Sequence, residues 1–263
     1  MNKINLIAGL PRSGSTLLCA ILQQNKSFHA TQTSLLPHWF KKNTEVFSEG
    51  IYSRYNRVNL SPRILNGYEG FIKGFYKKEK IVFDKDRNWI KIFPLFKKIF
   101  PKAKLIFIYR NVEDVLASII KQEFKREEYH NPPINNFLSK DGLINYWLQD
   151  DNIILSPLFY LKNCKDRGFL KDIIFIEYEE LIEKPQKTME KIHSFLQLPK
   201  TTYQFNNISF TNQENNDIDN LKFLHTVKKK LKRIDHKTYF DKEQKNFIKS
   251  KIEYFEKKLN LNV

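Results

Sequence analysis

The most informative stretch of the sequence is INLIAGLPRSGSTLLCAIL, at residues 4–22. It begins with a short, mostly apolar run that ends before Gly9, which is typical of a buried strand. After Ser15, leucine and isoleucine recur at helical spacing as far as Leu22. The stretch therefore predicts a strand, a glycine-bounded loop at 9–15 and a helix, which is the opening unit of an α/β protein.

The same alternation returns along the chain. Further strands are predicted at residues 80–84, 103–109 and 172–177. Helices are predicted at 89–100 with an interruption near Pro94, at 112–124, at 185–196 and at about 62–77, 141–165 and 242–259, with a loop at 201–220. Because near-continuous apolar strands alternate with amphipathic helices, we expect an α/β fold with a central parallel sheet flanked by helices. No Pro/Gly/Ser-rich linker divides the sequence, so residues 1–263 are predicted to form a single domain.

Composition narrows the class of protein. Two cysteines, Cys19 and Cys164, are too few for a disulfide scaffold, and no Cys/His group has zinc-ligand spacing. The apolar runs are far shorter than a membrane span and no secretory signal is recognisable, so we expect a cytoplasmic protein. The 45 Lys+Arg residues against 29 Asp+Glu give a formal net charge of +16. This charge favours an anionic partner, either nucleic acid, anionic lipid or a phosphorylated small molecule, unless it only solvates the surface.

The loop at residues 9–16, GLPRSGST, has the glycine spacing of a Walker A loop, with Ser15 where that motif has its lysine. Its glycines let the backbone turn sharply, so that successive N–H groups and the N-terminus of the following helix face an anion. Further donors lie on Arg12, Ser13, Ser15 and Thr16. They exceed what a strand-to-helix turn with a serine cap requires. The loop therefore predicts phosphate binding and a P-loop-like, three-layer fold.

Charged residues also stand at two predicted strand ends. Arg110 closes one strand, where open α/β sheets bind ligands, and Ser118 follows on the next helix. Spacing alone favours a turn-capping arginine and a solvent-facing serine for this pair. Asp84 and Lys85 lie at the end of another strand. Asp84 resembles the magnesium-binding aspartate of phosphate-transfer enzymes, and Lys85 would be a cation in the crevice, but a charged turn explains the pair equally well.

Together these segments resemble the sulfotransferase family. GLPRSGSTL at 9–17 resembles its 5′-phosphosulfate loop, and YRNVEDVLAS at 109–118 resembles its 3′-phosphate motif. EYEELIEKP at 177–185, running into FLQLP at 195–199, is similar to the closing β–α unit of the family. Within the family, DKD at 84–86 resembles an Asn-Lys-Asp segment of the tyrosylprotein and bacterial branch.

The resemblance implies a sulfotransferase that uses 3′-phosphoadenosine 5′-phosphosulfate (PAPS) as donor, releases adenosine 3′,5′-bisphosphate and needs no metal. The implied acceptor is a hydroxyl group on a peptide tyrosine, a sugar, a lipid or a small alcohol. By matching motif positions, it implies donor binding by Arg12, Ser13, Gly14, Ser15, Thr16, Arg110, Ser118, Tyr178 and Lys230. In that set the loop residues would hold the 5′-phosphate, while Arg110 and Ser118 would clamp the 3′-phosphate. Tyr178 would touch the nucleotide, and Lys230, in the basic run at 228–233, would close over it.

The resemblance also assigns the chemistry, with one departure. Arg12 and Lys85 would stabilise charge on the leaving phosphate. The tyrosylprotein branch has a glutamate after the first helix that removes the acceptor's proton, and the matching residue here is Gln32. An amide cannot take that proton. His29 is our candidate for the base, with His38 and His225 as alternatives. A relative that binds PAPS without turnover is a further alternative.

Two functions outside this family stay open. A P-loop nucleotide or metabolite kinase would use Asp84 to hold magnesium, but the loop lacks the Walker lysine. A nucleic-acid-binding protein would use the +16 charge. No recognisable stacking motif accompanies the basic residues, so we do not expect nucleic acid as the partner.

Overall fold

The structure is a computed structural model that describes residues 3–48, 61–128, 139–210, 227, 229–234, 236 and 238–259. Its strands are β1 Lys3–Gly9, β2 Phe28–Ala30, β3 Ile81–Lys85, β4 Lys104–Tyr109 and β5 Ile173–Glu177. Its helices are α1 Ser15–Leu22, α2 Leu36–Ser48, α3 Ser61–Phe75, α4 Trp89–Ile99, α5 Val112–Glu128, α6 Lys140–Trp147, α7 Ser156–Asp166, α8 Tyr178–Glu183, α9 Pro185–Leu196 and α10 Lys242–Leu259.

The strands form one parallel sheet in the order β2-β3-β1-β4-β5. Central β1 pairs Ile7 with Lys85 of β3 and Gly9 with Ile108 of β4. After β1 the chain continues to β2 on one side, whereas after β4 it continues to β5 on the other. Neighbouring strands whose connections leave in opposite directions open a ligand-binding crevice at their carboxyl ends. That crevice lies here between the loops that follow β1 and β4.

Helices cover both faces of the sheet. On one face, α1 and α9 pack with the strands in a cluster that includes Ile21, Phe83 and Ile192. On the other face, α2, α3, α4 and α7 build a cluster around Phe40 and Trp89. The succession of helices, sheet and helices confirms the predicted α/β, P-loop-like three-layer fold. That residues 1–263 form a single domain stays a prediction.

Several elements differ from the sequence prediction. Neither β2 nor α2 was predicted; β2 has only three residues, too few to show the period-two pattern of a strand. The helix predicted at 141–165 is in fact two helices, α6 and α7. Pro157 lies in the first turn of α7, where proline is favoured, and it marks the start of the second helix.

Helix α4 continues through Pro94, where an interruption was predicted. Proline has no N–H, so the carbonyl of Ile90, four residues earlier, loses its helical donor. The thiol of Cys164 in α7 donates to that carbonyl, with sulfur and oxygen 3.8 Å apart. Packing against α7 therefore supplies a substitute donor, and α4 stays unbroken.

Some predictions fall at the limits of the described chain. Of the predicted loop at 201–220, residues 201–210 are described and contain neither helix nor strand. His225 lies outside the described residues. None of the helices in the described ranges is both long enough and apolar enough to cross a membrane.

Candidate functional site

The loop after β1 packs closely against β4 and the start of α8. The N–H of Leu10 donates to the carbonyl of Ile108 over 3.1 Å. A Cβ on Gly9 would lie 1.9 Å from that same oxygen, and a Cβ on Gly14 would lie 2.7 Å from the ring of Tyr178. Gly14 also has a left-handed backbone, with φ of 88°. Both glycines are therefore needed for close approach of the loop to its neighbours.

Ser13 stabilises the loop itself. The residue is fully buried. Its hydroxyl oxygen lies 2.7 Å from the carbonyl of Leu10 and 3.1 Å from that of Ile108, and it donates to both. A hydroxyl has one proton, which these carbonyls share. The side chain of Ser13, a predicted phosphate ligand, is thus already hydrogen-bonded to the backbone.

Helix α1 starts at the crevice with its N–H groups available to an anion. The first N–H groups of any helix have no intrahelical acceptor, and the helix dipole adds positive potential there. The first turn of α1 contains no acidic residue. Ser15 and Thr16, the predicted hydroxyl ligands, lie half-buried in this turn. The start of α1 therefore has the geometry of an anion site.

Lys85 reaches the same helix end from β3. Its Nζ donates to Thr16 Oγ1 over 3.3 Å, and its backbone N–H donates to Thr31 Oγ1 over 2.8 Å. The residue is only 8% exposed. Burial lowers the pKa of Lys85, because a desolvated ammonium is disfavoured. An anion bound beside it would raise the pKa of Lys85 again, because it favours the charged form.

Arg12 is held by α5. Its Nε donates to Ser118 Oγ over 3.1 Å. The amide of Gln122, with its oxygen turned toward the guanidinium, accepts from the two terminal nitrogens over 3.1 and 3.3 Å. Ser118 and Gln122 are four residues apart and so share one face of α5. Arg12 as a whole is exposed, but desolvation of its guanidinium lowers its pKa and the charge of Arg110 lowers it further.

Arg110 lies at the end of β4, with its side chain only 3% exposed. Its Cζ lies 4.4 Å from the centre of the Tyr178 ring. One terminal nitrogen donates to the carbonyl of Ile234 over 2.7 Å and lies 3.3 Å from a carboxylate oxygen of Asp114. Its Nε lies 3.7 Å from Glu179 Oε1. Tyr178, packed on Gly14 and under Arg110, thus joins the two predicted phosphate sites.

The basic segment at residues 229–234 passes beside this arginine. The carbonyl of Lys229 accepts from Ile208 N–H over 2.8 Å, and Arg233 pairs with Glu183 over 2.8 Å. Lys230 is exposed on this segment, four residues before the Ile234 carbonyl that contacts Arg110. The structure therefore brings the segment of Lys230 to Arg110, one of the residues predicted to bind the 3′-phosphate.

Asp84 and His29 lie on the opposite face of the sheet from Lys85. Asp84 is fully buried and accepts from Tyr76, from Trp89 over 2.7 Å and from Ser34 over 3.0 Å. Burial raises the pKa of Asp84 to about 6. The His29 ring lies 5.7 Å from that of Tyr76. Neighbouring residues of a strand point to opposite faces of the sheet. The structure therefore does not bring Asp84 or His29 to the predicted phosphate-binding loop at 9–16, which we call the donor loop.

A second histidine lines a separate cleft. His38, at the start of α2, lines a cleft of about 270 Å³ together with Asp86, Arg87 and Tyr160. Asp86 directly follows Lys85, the predicted leaving-group cation, in the chain, but the side chain of Lys85 does not line this cleft. Gln32, at the position matched to a glutamate base, is buried. Among the described residues no group of three or more His, Cys, Asp or Glu side chains could hold a metal ion.

Four residues at this site were missed in the sequence. Gln122 and Thr31 support Arg12 and Lys85, while Asp114 and Glu179 contact Arg110. Gln122 could have been found, since it stands one helical turn after Ser118. Asp114 likewise stands one turn after Arg110. Thr31 and Glu179 reach the site only through tertiary contacts, which no local pattern indicates.

Comparison with known proteins identifies the family. A family model described as "Sulfotransferase family" matches residues 6–202, well over half of the chain. The protein therefore belongs to the sulfotransferase family. This confirms the resemblance and the class of enzyme that the sequence predicted.

The relatives are distant but match most of the chain. It is 25% identical over 271 residues to cytosolic sulfotransferase 7 of Arabidopsis thaliana, which covers 94% of this chain and 74% of the relative. It is 24% identical over 212 residues to a putative protein-tyrosine sulfotransferase of Caenorhabditis briggsae, which covers 73% of this chain and 64% of the relative. A similar solved structure is mouse sulfotransferase SULT7A1 complexed with PAP, with a TM-score of 0.60 at 15% identity over 97% of this chain and 84% of that one. The sulfotransferase domain from the curacin biosynthetic pathway has a TM-score of 0.55 at 16% identity and covers 100% of this chain and 99% of that one.

Proposed function

We propose that this protein transfers a sulfuryl group from PAPS to a hydroxyl acceptor and releases adenosine 3′,5′-bisphosphate. The observation that carries the proposal is the convergence of Arg12, Lys85 and Arg110 around the N-terminus of α1. Each cation comes from a different loop or strand end at the carboxyl edge of the sheet. A turn between a strand and a helix needs no such set, whereas a donor with phosphate groups at both ends does.

The 5′-phosphosulfate of the donor would bind at the start of α1. The N–H groups of the first turn, from Gly14 onward, and the hydroxyls of Ser15 and Thr16 would donate to it. Ser13 would contribute through its backbone, since its hydroxyl is bonded within the loop. A backbone cradle of this kind binds an anion without the Walker lysine.

The 3′-phosphate would bind at Arg110, with the ring of Tyr178 against the nucleotide. Tyr178 supports this assignment because its ring touches both Gly14 and Arg110. Ser118 was predicted to bind the 3′-phosphate. Since it contacts Arg12, it would lie between the two ends of the bound donor. Lys230 would add a cation from the segment at 229–234.

The reaction requires charge stabilisation at the leaving group. The acceptor oxygen attacks sulfur, the bond from sulfur to the bridging oxygen breaks, and its electron pair passes to the 5′-phosphate. Arg12 and Lys85 lie where that charge develops, and one such fixed donor accounts for about 3 kcal/mol of transition-state stabilisation. The acceptor's proton passes to a base.

The cleft lined by His38 and Asp86 is our candidate entry for the acceptor, because Asp86 directly follows Lys85 in the chain. His38 lines it, so we propose His38 as a base candidate beside His29, which remains a prediction. Arg87 and Tyr160 border the same cleft and offer a cation and an aromatic surface to the acceptor. Peptide tyrosine, sugar, lipid and small-alcohol acceptors all stay candidates.

A cytoplasmic location also stays a proposal. Both cysteines, Cys19 and Cys164, are free thiols, as expected in a reducing compartment. The plant relative is named a cytosolic sulfotransferase.

The proposal is tested by transfer of labelled sulfate from PAPS to a panel of phenols, sugars, lipids and peptides. We expect Lys85→Met to lower kcat by about 10²–10³-fold, because it removes a charge at the leaving group and keeps the volume. Arg167→Ala, an exposed arginine at the end of α7, is the matched control and should leave transfer unchanged. His38→Gln should lower kcat more than His29→Gln does. The loss in kcat should be smaller with acidic phenols than with alcohols as acceptors, because acidic phenols need less help from a base.

Other outcomes would favour the alternatives. Phosphate transfer from ATP with magnesium would support the kinase, although Asp84 is buried away from the loop and bonded to three donors. Binding of PAPS with no transfer to any acceptor class would indicate a silent relative. Tight, salt-dependent binding to nucleic acid that survives Arg12→Ala would favour the nucleic-acid function.

A further inference from the structure

The 3′-phosphate residue Arg110 is surrounded by negatively charged side chains. Asp114 reaches it from α5 at 3.3 Å and Glu179 reaches it from α8 at 3.7 Å. The carbonyl of Ile234 accepts from the same guanidinium. One buried positive charge therefore faces two carboxylates before any phosphate arrives.

A bound 3′-phosphate would make this imbalance larger. It brings up to two negative charges to a guanidinium that already has two anionic neighbours. Like charges at such distances repel strongly where water is excluded. Binding is more favourable if one of the carboxylates loses its charge.

Glu179 is the carboxylate best placed to become neutral. Its Oε2 is buried and accepts no hydrogen bond from any residue that the structure describes. The charged and titratable groups that face it are Arg110 after β4, Asp114 from α5, Glu177 from β5, and Tyr109 and Tyr178. Burial is the largest cause that raises the pKa of Glu179, and the charges of Glu177 and Asp114 raise it further; a hydrogen bond from its own backbone N–H and the charge of Arg110 oppose them. Both carboxylates lie in the first turn of a helix, but α5, which contains Asp114, has 17 residues and α8, which contains Glu179, has six, so the helix dipole favours the charged form of Asp114 more.

We propose that Glu179 takes up one proton when the 3′-phosphate binds to Arg110. The inference rests on the proposed donor site. The proton comes from solvent and is held on Oε2, and no other bond is made or broken. The neutral carboxyl then donates a hydrogen bond toward the phosphate, where the carboxylate would repel it.

The coupling gives donor affinity a defined dependence on pH. Below the pKa of Glu179 in the free protein, the carboxyl is already protonated and binding needs no further proton. Above it, affinity falls as the pH rises, until the pH passes the higher pKa of the bound form. Glu179→Gln keeps the shape of the side chain without its charge, so this contribution disappears. The phosphate's own titration is common to both proteins and cancels in their ratio.

The experiment is calorimetric titration of the full chain with adenosine 3′,5′-bisphosphate from pH 6 to 8.5, in two buffers of different ionisation enthalpy. We expect the wild type to take up about one proton more per ligand than E179Q where the coupling is strongest. The ratio of the wild-type Kd to that of E179Q should rise at least threefold across the range. Glu190→Gln, the same change at an exposed position on α9, should behave as wild type.

Adenosine 5′-monophosphate provides the ligand control. It lacks the 3′-phosphate, so the difference in proton uptake between wild type and E179Q should vanish. Equal uptake of protons by the two proteins with the bisphosphate would overturn the inference while leaving the donor site intact. No bisphosphate binding by folded wild type would overturn the donor site and the inference together. If E179Q does not fold, the proton uptake of the wild type with the bisphosphate is compared with its uptake with the monophosphate, after correction for the ligands' own titration. Greater uptake with the bisphosphate supports the inference, and equal uptake overturns it.

Discussion

At the scale of single residues, the loop at 9–16 contains three residues with positive φ, Gly9, Arg12 and Gly14, and only Arg12 is not a glycine. Arg12 has φ of 59° and Gly14 has φ of 88°. A non-glycine residue in this conformation costs on the order of 1–3 kcal/mol. The contacts of Arg12 with Ser118 and Gln122 on α5 offset that strain. The guanidinium is therefore fixed toward the crevice by contacts outside the loop.

Gly14→Ala should destabilise the protein more than a left-handed backbone alone explains. Its Cβ would lie 2.7 Å from the Tyr178 ring. Gly168→Ala is the matched control, because Gly168 has φ of 71° and open space around it. We expect Gly168→Ala to lower the free energy of unfolding by about 1–2 kcal/mol, and Gly14→Ala by a further 1–3 kcal/mol or so. Denaturant unfolding measures both, and equal losses would show that Tyr178 does not press on the loop.

Asp84 gives the protein a pH-dependent stability of predictable sign. Its pKa is raised by burial from 3.8 to about 6, so the folded protein binds this proton more tightly than the unfolded chain. The stability that this proton contributes is present below pH 3.8 and is lost as the pH rises through about 6. Relative to wild type, Asp84→Asn should therefore gain up to about 3 kcal/mol in the free energy of unfolding between pH 4 and pH 7. Asp151→Asn, at an exposed position, should show no such trend; the same flat profile for Asp84→Asn would mean that Asp84 is not protonated in this range.

At the scale of elements, the site depends on helices that hold strand ends and loops in place. Helix α5 fixes Arg12, and α8 brings Tyr178 to Gly14. On the far face, α4 passes unbroken through Pro94 because Cys164 on α7 donates to the carbonyl of Ile90. The contact between α4 and α7 therefore determines whether the helix after Lys85 stays regular.

A double-mutant cycle between Pro94 and Cys164 measures this contact. Cys164→Ala alone removes the donor to the Ile90 carbonyl and leaves a small cavity. Pro94→Ala restores a helical N–H that can donate to the same carbonyl. Loss of the Cys164 thiol should then destabilise the protein less. We expect Cys164→Ala to cost about 0.5–1 kcal/mol less in the Pro94→Ala background, the size of a weak hydrogen bond. Additive effects in thermal or denaturant unfolding would contradict the account of the unbroken helix.

The sequence could predict the elements that carry strong local signals. The strands at the crevice are apolar runs, and the loop at 9–16 is marked by its two glycines. The three-residue strand β2 has no such signal, so the face on which His29 lies could not be inferred from strand alternation. Arg110 is contacted by Glu179, Asp114 and Ile234, which come from three separate parts of the chain. Contacts of that kind depend on tertiary packing, which periodicity does not encode.

At the scale of the whole molecule, the distribution of charge is more informative than its sum. The net charge of +16 is compatible with a nucleic-acid partner as well as with a small anionic donor. The structure sets Arg12, Lys85 and Arg110 apart from the solvated lysines, because all three are gathered at one crevice with partners that fix them. A small anion with two phosphate positions fits this arrangement, whereas a nucleic-acid backbone needs a longer track of exposed cations.

The most direct test of the donor site is calorimetric titration with adenosine 3′,5′-bisphosphate, beside ATP with magnesium. We expect the wild type to bind the bisphosphate with a micromolar Kd. Arg12→Ala and Arg110→Ala should each weaken this binding at least tenfold, while the surface control Arg167→Ala should leave it unchanged. ATP should not match the bisphosphate. A folded protein that does not bind the bisphosphate, or that binds it equally well without Arg12 and Arg110, would contradict the donor site.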